Sequence, residues 1–162
     1  MKIGVLSDTH IPRTTSKLPD EIYGAFKDVD LILHAGDFTE FPVLDELKKL
    51  AKTEAVCGNM DSHGIQKALP AKRIIKAGKF VIGLIHGYGA PSTLMDTVKD
   101  EFSGEHADVI IFGHSHLPVN EIKNGILFFN PGSPTDKIFA KYNSYGILMI
   151  NNGIKGEIIK IK

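Results

Sequence analysis

Apolar residues occur along this chain in short runs that stop abruptly at polar groups. The first, Ile3-Gly4-Val5-Leu6, is too short for a helix and empties into Ser7-Asp8-Thr9-His10. A proline-containing polar loop from Ile11 to Pro19 follows. A helix is then predicted from about Pro19-Asp20, with Ile22, Tyr23 and Phe26 on one side and the proline tolerated at its start. Asp30–His34 reads as a second strand, and Val43, Leu44, Leu47 and Leu50 give a helix over Pro42–Leu50. A third strand is expected over Thr53–Cys57. The polar connector beyond it, with Gly64 and Pro70, leads to strands at Arg73–Lys76 and Phe80–Ile85, turned by Gly78-Lys79. A helix fits Ser92–Phe102, with Leu94, Met95 and Val98 inward.

The run Asp108–Phe112 is apolar without alternation past its first residue, the pattern of a strand buried on both faces. After it the character changes. Val119–Ile122, Ile126–Phe129, Tyr145–Ile150 and Ile154–Ile161 read as strands, with Asn124-Gly125 and Asn152-Gly153 as hairpin turns. The order is therefore β-α-β-α-β followed by a β-rich half, which predicts an α/β fold of mixed sheets covered by helices. With 162 residues and no repeat or linker, a single domain over 1–162 is expected.

Five of these strand ends carry chemistry: Asp8/His10, Asp37, Asn59/Asp61, His86 and His114/His116. In an extended chain the side chains of residues i and i+2 leave one face, so Asp8 and His10 are expected to converge. Glycine precedes Asp37, Asn59 and His114, where a sharp turn is expected. Imidazole nitrogens with carboxylate and amide oxygens make a ligand set for Mn, Fe, Ni, Co or Zn, and no thiolate site accompanies them. The donors are too many for one ion, whereas two ions sharing a carboxylate would use them all. Chance gathering of seven such residues at strand ends is a poor explanation.

Composition narrows the rest. Nineteen basic and nineteen acidic residues leave no net charge, so strong nucleic-acid binding is not expected. The one cysteine, Cys57, excludes an internal disulfide, suits a reducing cytoplasm and reads as a buried small hydrophobe. No run approaches a membrane span, and only four residues separate Lys2 from Ser7, too few for a signal-peptide core. Among the other histidines, His34 reads as a core residue bonded to backbone, His106 as surface, and His63 as a candidate substrate contact. Arg13 is a second candidate contact, its planar fork suiting phosphate oxygens.

The series Asp8-x-His10, Gly36-Asp37, Gly58-Asn59-x-Asp61, His86-Gly87 and Gly113-His114-x-His116, with the later Asn130-Pro131-Gly132-Ser133, resembles the calcineurin-like metallophosphoesterases. The likeness is greatest to the small bacterial and archaeal phosphodiesterases of that family. It implies a four-layer α-β-β-α sandwich with two mixed β-sheets, holding two divalent metal ions about 3.5 to 4 Å apart. Manganese is the first expectation; nickel, iron, cobalt and zinc are alternatives. Carried over by position, Asp8, His10, Asp37 and His116 would hold one ion and Asp37, Asn59, His86 and His114 the other, with Asp37 bridging.

The implied chemistry is hydrolysis of a phosphate diester by a hydroxide held between the ions, with Asp37, Asn59, Asp61 and His86 as catalytic residues. Asn59, Arg13 and His63 would contact a small phosphoester substrate, and Asp61 would orient a neighbour. A homo-oligomer, dimer or tetramer, is compatible with this. One departure stands out: the family often has a histidine after Gly-Asn that serves the leaving group, and here the residue is Met60. Several small members also lack it. The alternatives are a phosphomonoesterase or nucleotidase, and a non-catalytic interaction scaffold like the retromer subunit of this fold.

Overall fold

The computed structural model describes residues 1–162. In chain order its first half runs β1 (Lys2–Leu6), α1 (Asp20–Phe26), β2 (Leu31–His34), α2 (Phe41–Leu50), β3 (Thr53–Ala55), α3 (His63–Ala68), β4 (Lys72–Ala77) and β5 (Phe80–Ile85). The second half runs α4 (Leu94–Glu101), β6 (Val109–Ile111), β7 (Val119–Lys123), β8 (Ile126–Asn130), β9 (Ser144–Ile150) and β10 (Ile154–Lys160). Two five-stranded sheets result, in the orders β10-β9-β1-β2-β3 and β4-β5-β6-β8-β7. Both are mixed: β1, β2 and β3 run parallel, as do β5, β6 and β8, and antiparallel strands flank each set.

The period of two along each strand sorts side chains into layers. Ile3, Val5, Leu31 and Leu33 of one sheet meet Ile82, Leu84, Val109, Ile111 and Phe129 of the other in a shared inner core. The alternate residues face outward. Leu6, Ile32 and Ile147 pack under Ile22 and Phe26 of α1 and Val43, Leu44 and Leu47 of α2. On the opposite outer face Ile110 and Phe128 pack against Leu94, Val98 and Phe102 at α4. The expected four-layer α-β-β-α sandwich is the observed one. Each outer interface also has a glycine that lets an aromatic ring lie on the sheet. A Cβ on Gly4 would come within 2.8 Å of Phe26, and one on Gly83 within 2.9 Å of Phe102. Burying one such phenylalanine is worth ~1.5–3 kcal/mol.

The sequence expectations depart from this fold in a few places. β3 ends at Ala55 rather than Cys57, and Cys57 is half-buried rather than buried, its thiol pushed up by burial. α4 begins at Leu94 rather than Ser92. α3 lies where a connector was expected, because a six-residue helix anchored by the one buried side chain Ile65 shows no period to read. His34 is a fully buried core histidine as expected, accepting the Gly36 N–H at Nδ1. Burial pushes it down to about 3, so its ring is neutral. His106 is exposed and lies 3.2 Å from Asp108.

Strand register sets up the site. Leu6 pairs with His34, which pairs with Ala55, so β1, β2 and β3 end side by side. In the second sheet Leu84 pairs with Ile111, so the loops after β5 and β6 leave together.

Candidate metal centre

Seven predicted ligands come from these five loops, Asp8, His10, Asp37 and Asn59 beyond the first sheet and His86, His114 and His116 beyond the second. Asp8 and His10 do converge, Asp8 Oδ1 lying 3.9 Å from His10 Nε2, but not by the pleat expected of an extended chain. Both residues have positive φ, 54° and 45°, as do Asp37, His114 and His116. Left-handed backbone at non-glycine positions costs energy and persists where the surroundings impose it.

The glycines before the ligands act mainly by close approach. Gly36 has the expected positive φ of 92°. Gly58 instead has the Asp37 carboxylate where a Cβ would sit, and Gly113 has the Ser7 hydroxyl.

Three histidines are oriented by partners behind them, which leaves one nitrogen of each facing inward. His86 Nδ1–H donates to the Ala35 carbonyl (2.7 Å), His114 Nε2–H to the Gly89 carbonyl (3.1 Å) and His116 Nδ1–H to Asp136 Oδ2 (2.9 Å). The inward His86 Nε2 and His114 Nδ1 each lie 3.2 Å from Asn59 Oδ1. On the other side His116 Nε2 lies 3.1 Å from His10 Nε2 and 3.4 Å from Asp8 Oδ1. Asp37 Oδ2 lies 3.3 Å from His86 Nε2 and 3.7 Å from His10 Nε2, while its Oδ1 accepts the Met60 N–H. Asp8 Oδ2 is satisfied by Ser7 and the His114 N–H, whereas the buried Oδ1 has no hydrogen-bond partner.

Lone pairs of nitrogen and oxygen thus converge with few protons between them, and one carboxylate oxygen is buried unpaired. Such a set fits divalent cations. Two groups have donors close enough to hold an ion, Asp8/His10/His116 and Asp8/Asp37/His86, so Asp8 is the carboxylate common to both. Asp37 was expected to be the shared ligand; its Oδ2 faces a histidine of each group.

With no cation, protons take that place. Burial alone would depress His86, but Asp37 and Asp8 outweigh it and bring it up to about 9. His116 likewise rises to about 9 against its burial, through Asp8 and Asp136. Asp8, which burial would raise, is held down to about 2 by His116 and His86. These two histidines hold protons more tightly folded than unfolded. Their contribution to stability is therefore complete below the ordinary value of 6.5 and lost as pH rises through about 9. Chelator-treated protein should lose stability between these limits, with His116 contributing less than the more deeply buried His86 because water screens its charge. Urea melts at pH 6.5, 8 and 9.5 check this, and added Mn²⁺ should restore most at the alkaline end.

Other residues brace the loops. Asp61 does not face the converged donors. It accepts the N–H groups of Gly58 (2.7 Å), Asp37 (3.1 Å) and Thr39 (2.8 Å), tying the β2 and β3 ends together, and burial raises it despite those bonds. Asn130 Nδ2 donates to Gly113 O, and Ser133 Oγ donates to Asp8 O, so the Asn130–Ser133 turn supports two ligand loops. Asp136 had no signal in the sequence, being one aspartate in a polar loop far along the chain. It holds His116 and also accepts the N–H groups of Ile138, Phe139 and Ala140. Asp136→Asn should weaken metal binding by about 10- to 100-fold, as loss of an orienting partner does elsewhere. Equilibrium dialysis against Mn²⁺ measures this directly.

A cleft of about 440 Å³ opens over the donors, lined by His10, Asp37, Asn59, His114 and His116 and also by Arg13 and Met60. Arg13 is exposed on its wall, as a substrate contact requires. His63 is exposed as well, but it opens α3 outside the cleft lining, so that expectation is not met.

Fold and site define a layered α/β protein with a candidate cation site at the C-terminal ends of its parallel strands. The calcineurin-like phosphoesterase superfamily domain matches residues 1–153, and the chain belongs to that family. A probable metallophosphoesterase of Methanothermobacter thermautotrophicus is 48% identical over 139 residues, 83% of this chain and 78% of its own. A phosphodiesterase of Methanocaldococcus jannaschii is 31% identical over 144 residues, 82% and 83% of the two chains. The crystal structure of a Vps29 single mutant from Entamoeba histolytica matches over 100% of both chains, with a TM-score of 0.81 and 24% identity. No helix is long and apolar enough to cross a membrane.

Proposed function

We propose that this chain is a metal-dependent phosphodiesterase with a dinuclear centre. The observation that carries the reading is the buried, unpaired Asp8 Oδ1 among inward-facing histidine nitrogens fixed from behind. Asp8, His10, Asp37 and His116 would hold one divalent ion, and Asp37, Asn59, His86 and His114 the other. When bound, the ions supply an acidified water as nucleophile and positive charge for the phosphoryl oxygens.

The chain's own residues do the rest. Asp37 places its carboxylate between His10 and His86 because Met60 N–H and the Asp61 clamp fix the loop that carries it. Asn59 presents an amide to the cleft between His86 and His114, able to contact a phosphoryl oxygen. Arg13 offers a charged fork from the wall. Asp61 is a positioning residue, acting through Asp37. The diester preference is supported by the relative named a phosphodiesterase and by a cleft within the size range of small-molecule sites.

A non-catalytic scaffold is the second reading, favoured by the likeness to Vps29 and by the methionine at position 60. Against it, every ligand position holds a competent donor. Screening Mn, Ni, Co, Fe and Zn against mono- and diesters, with metal content measured on the same protein, tests the reading. The expected result is metal-dependent diester cleavage exceeding monoester cleavage. Equal inactivity with every metal would sink it.

A further inference from the structure

Beside the charged donors the cleft has an apolar wall that the metal chemistry does not use. We propose that Ile138 and Phe139 form a subsite for a planar aromatic group esterified to the phosphate, an aryl ring or a nucleobase. The inference rests on the phosphoesterase reading and names the substrate class of that site.

Ile138 and Phe139 are 81% and 69% exposed, adjacent in sequence, and both line the cleft that holds the candidate ligands. Large apolar side chains left this open beside a polar site mark a surface meant to be covered. They are also held in place. Asp136 Oδ1 accepts the Ile138 N–H (3.0 Å), Asp136 Oδ2 accepts the Phe139 N–H (2.8 Å), and Asn143 Nδ2 donates to the Asp136 carbonyl (2.6 Å). An occupant would therefore meet an ordered wall, not a loop that must first be fixed.

Position decides what the occupant is. The Phe139 ring lies edge-on to His116, with centroids 5.8 Å apart, so a ring against Phe139 would sit one side chain away from the candidate ligand nitrogens. Met60 and Pro91 add apolar surface to the same cleft, while Arg13 adds the one fixed positive charge among its lining residues. A ligand that is anionic at one end and flat and apolar at the other matches this division. A bare phosphate, or one carrying only a methyl group, would leave the wall uncovered. A protein segment could cover Ile138 and Phe139 from outside, but it would not use the continuity between that wall and the charged floor.

Calorimetric titration of the Mn²⁺-loaded protein with methyl phosphate, phenyl phosphate and adenosine monophosphate tests this without reference to leaving-group acidity. Phenyl phosphate is expected to bind at least ~10-fold tighter than methyl phosphate, the scale on which one ring stacks on an aromatic side chain. Adenosine monophosphate sharing that gain identifies a nucleobase site; phenyl phosphate alone showing it identifies an aryl site. Phe139→Ala should bring the phenyl-to-methyl ratio close to one, and Phe139→Tyr should keep it. Ile138→Ser, which leaves the Phe139–His116 ring pair in place, should lower the ratio by itself. Equal affinities in the wild-type protein, or a ratio unmoved by these variants, would overturn the subsite alone and direct attention to a protein partner for the pair. Failure of all three ligands and of inorganic phosphate to bind would overturn the phosphoesterase reading, and the subsite with it.

Discussion

Asp37→Asn should abolish diester hydrolysis and leave the protein unable to retain two metal ions, a loss well beyond the ~10- to 100-fold that follows removal of an orienting partner. The amide preserves the size of the side chain and can still accept the Met60 N–H. What it removes is the negative charge that faces His86 at 3.3 Å and His10 at 3.7 Å, one histidine from each candidate ion site. No neighbour can replace a charge that serves both sites. Asp8 already faces both groups, and Asp61 is occupied with three backbone N–H groups. Metal analysis of the dialysed variant, beside its turnover, checks the expectation. Two ions per chain with near wild-type turnover would show that Asp37 is not shared.

The second large effect is a gain. Met60 lines the cleft, is 39% exposed, and offers no proton to a departing alkoxide. Hydrolysis should therefore depend steeply on leaving-group acidity, with nitrophenyl diesters cleaved far faster than simple alkyl ones. Met60→His places an imidazole where the side chain already reaches the cleft and where the backbone N–H bond to Asp37 is unaffected by the change. Good general acid catalysis contributes about 10²- to 10⁴-fold. Turnover of poor-leaving-group esters should rise toward that range, with little change for nitrophenyl esters. A rate independent of leaving-group pKa in the wild-type protein would mean that another group already donates the proton.

Most of the fold and the ligand set were legible in the sequence because both depend on local, strongly patterned features. Ile3-Gly4-Val5-Leu6 and Leu31-Ile32-Leu33 are short continuous apolar runs that stop abruptly, and each ligand lies within a few residues of the end of such a strand. The reason given for some features was wrong even where the feature was present. Asp8 and His10 converge through left-handed backbone, and Gly58 and Gly113 are needed for the space they leave, neither of which periodicity records. What stayed hidden was long-range. Asp136 reaches His116 across twenty positions, and Ser133 reaches Asp8 across 125, so only the folded chain shows that the late loop supports the early one. His63 misled for the complementary reason, since a short helix turned a loop histidine outward.

The five ligand loops sit astride the seam between the two sheets. Apart from the chain connections, those sheets are joined chiefly by an oily interface, which resists pulling apart but is indifferent to small sliding. Directional contacts at one end of the seam change that. A cation held by Asp8 and His10 with His116, or by Asp8 and Asp37 with His86, would act as a rivet, fixing the register of two halves otherwise joined mainly by apolar packing. Its departure and the loosening of the halves would then be a single event. Proteolysis at the seam, rather than at the chain ends, would be the first sign that the metal had gone.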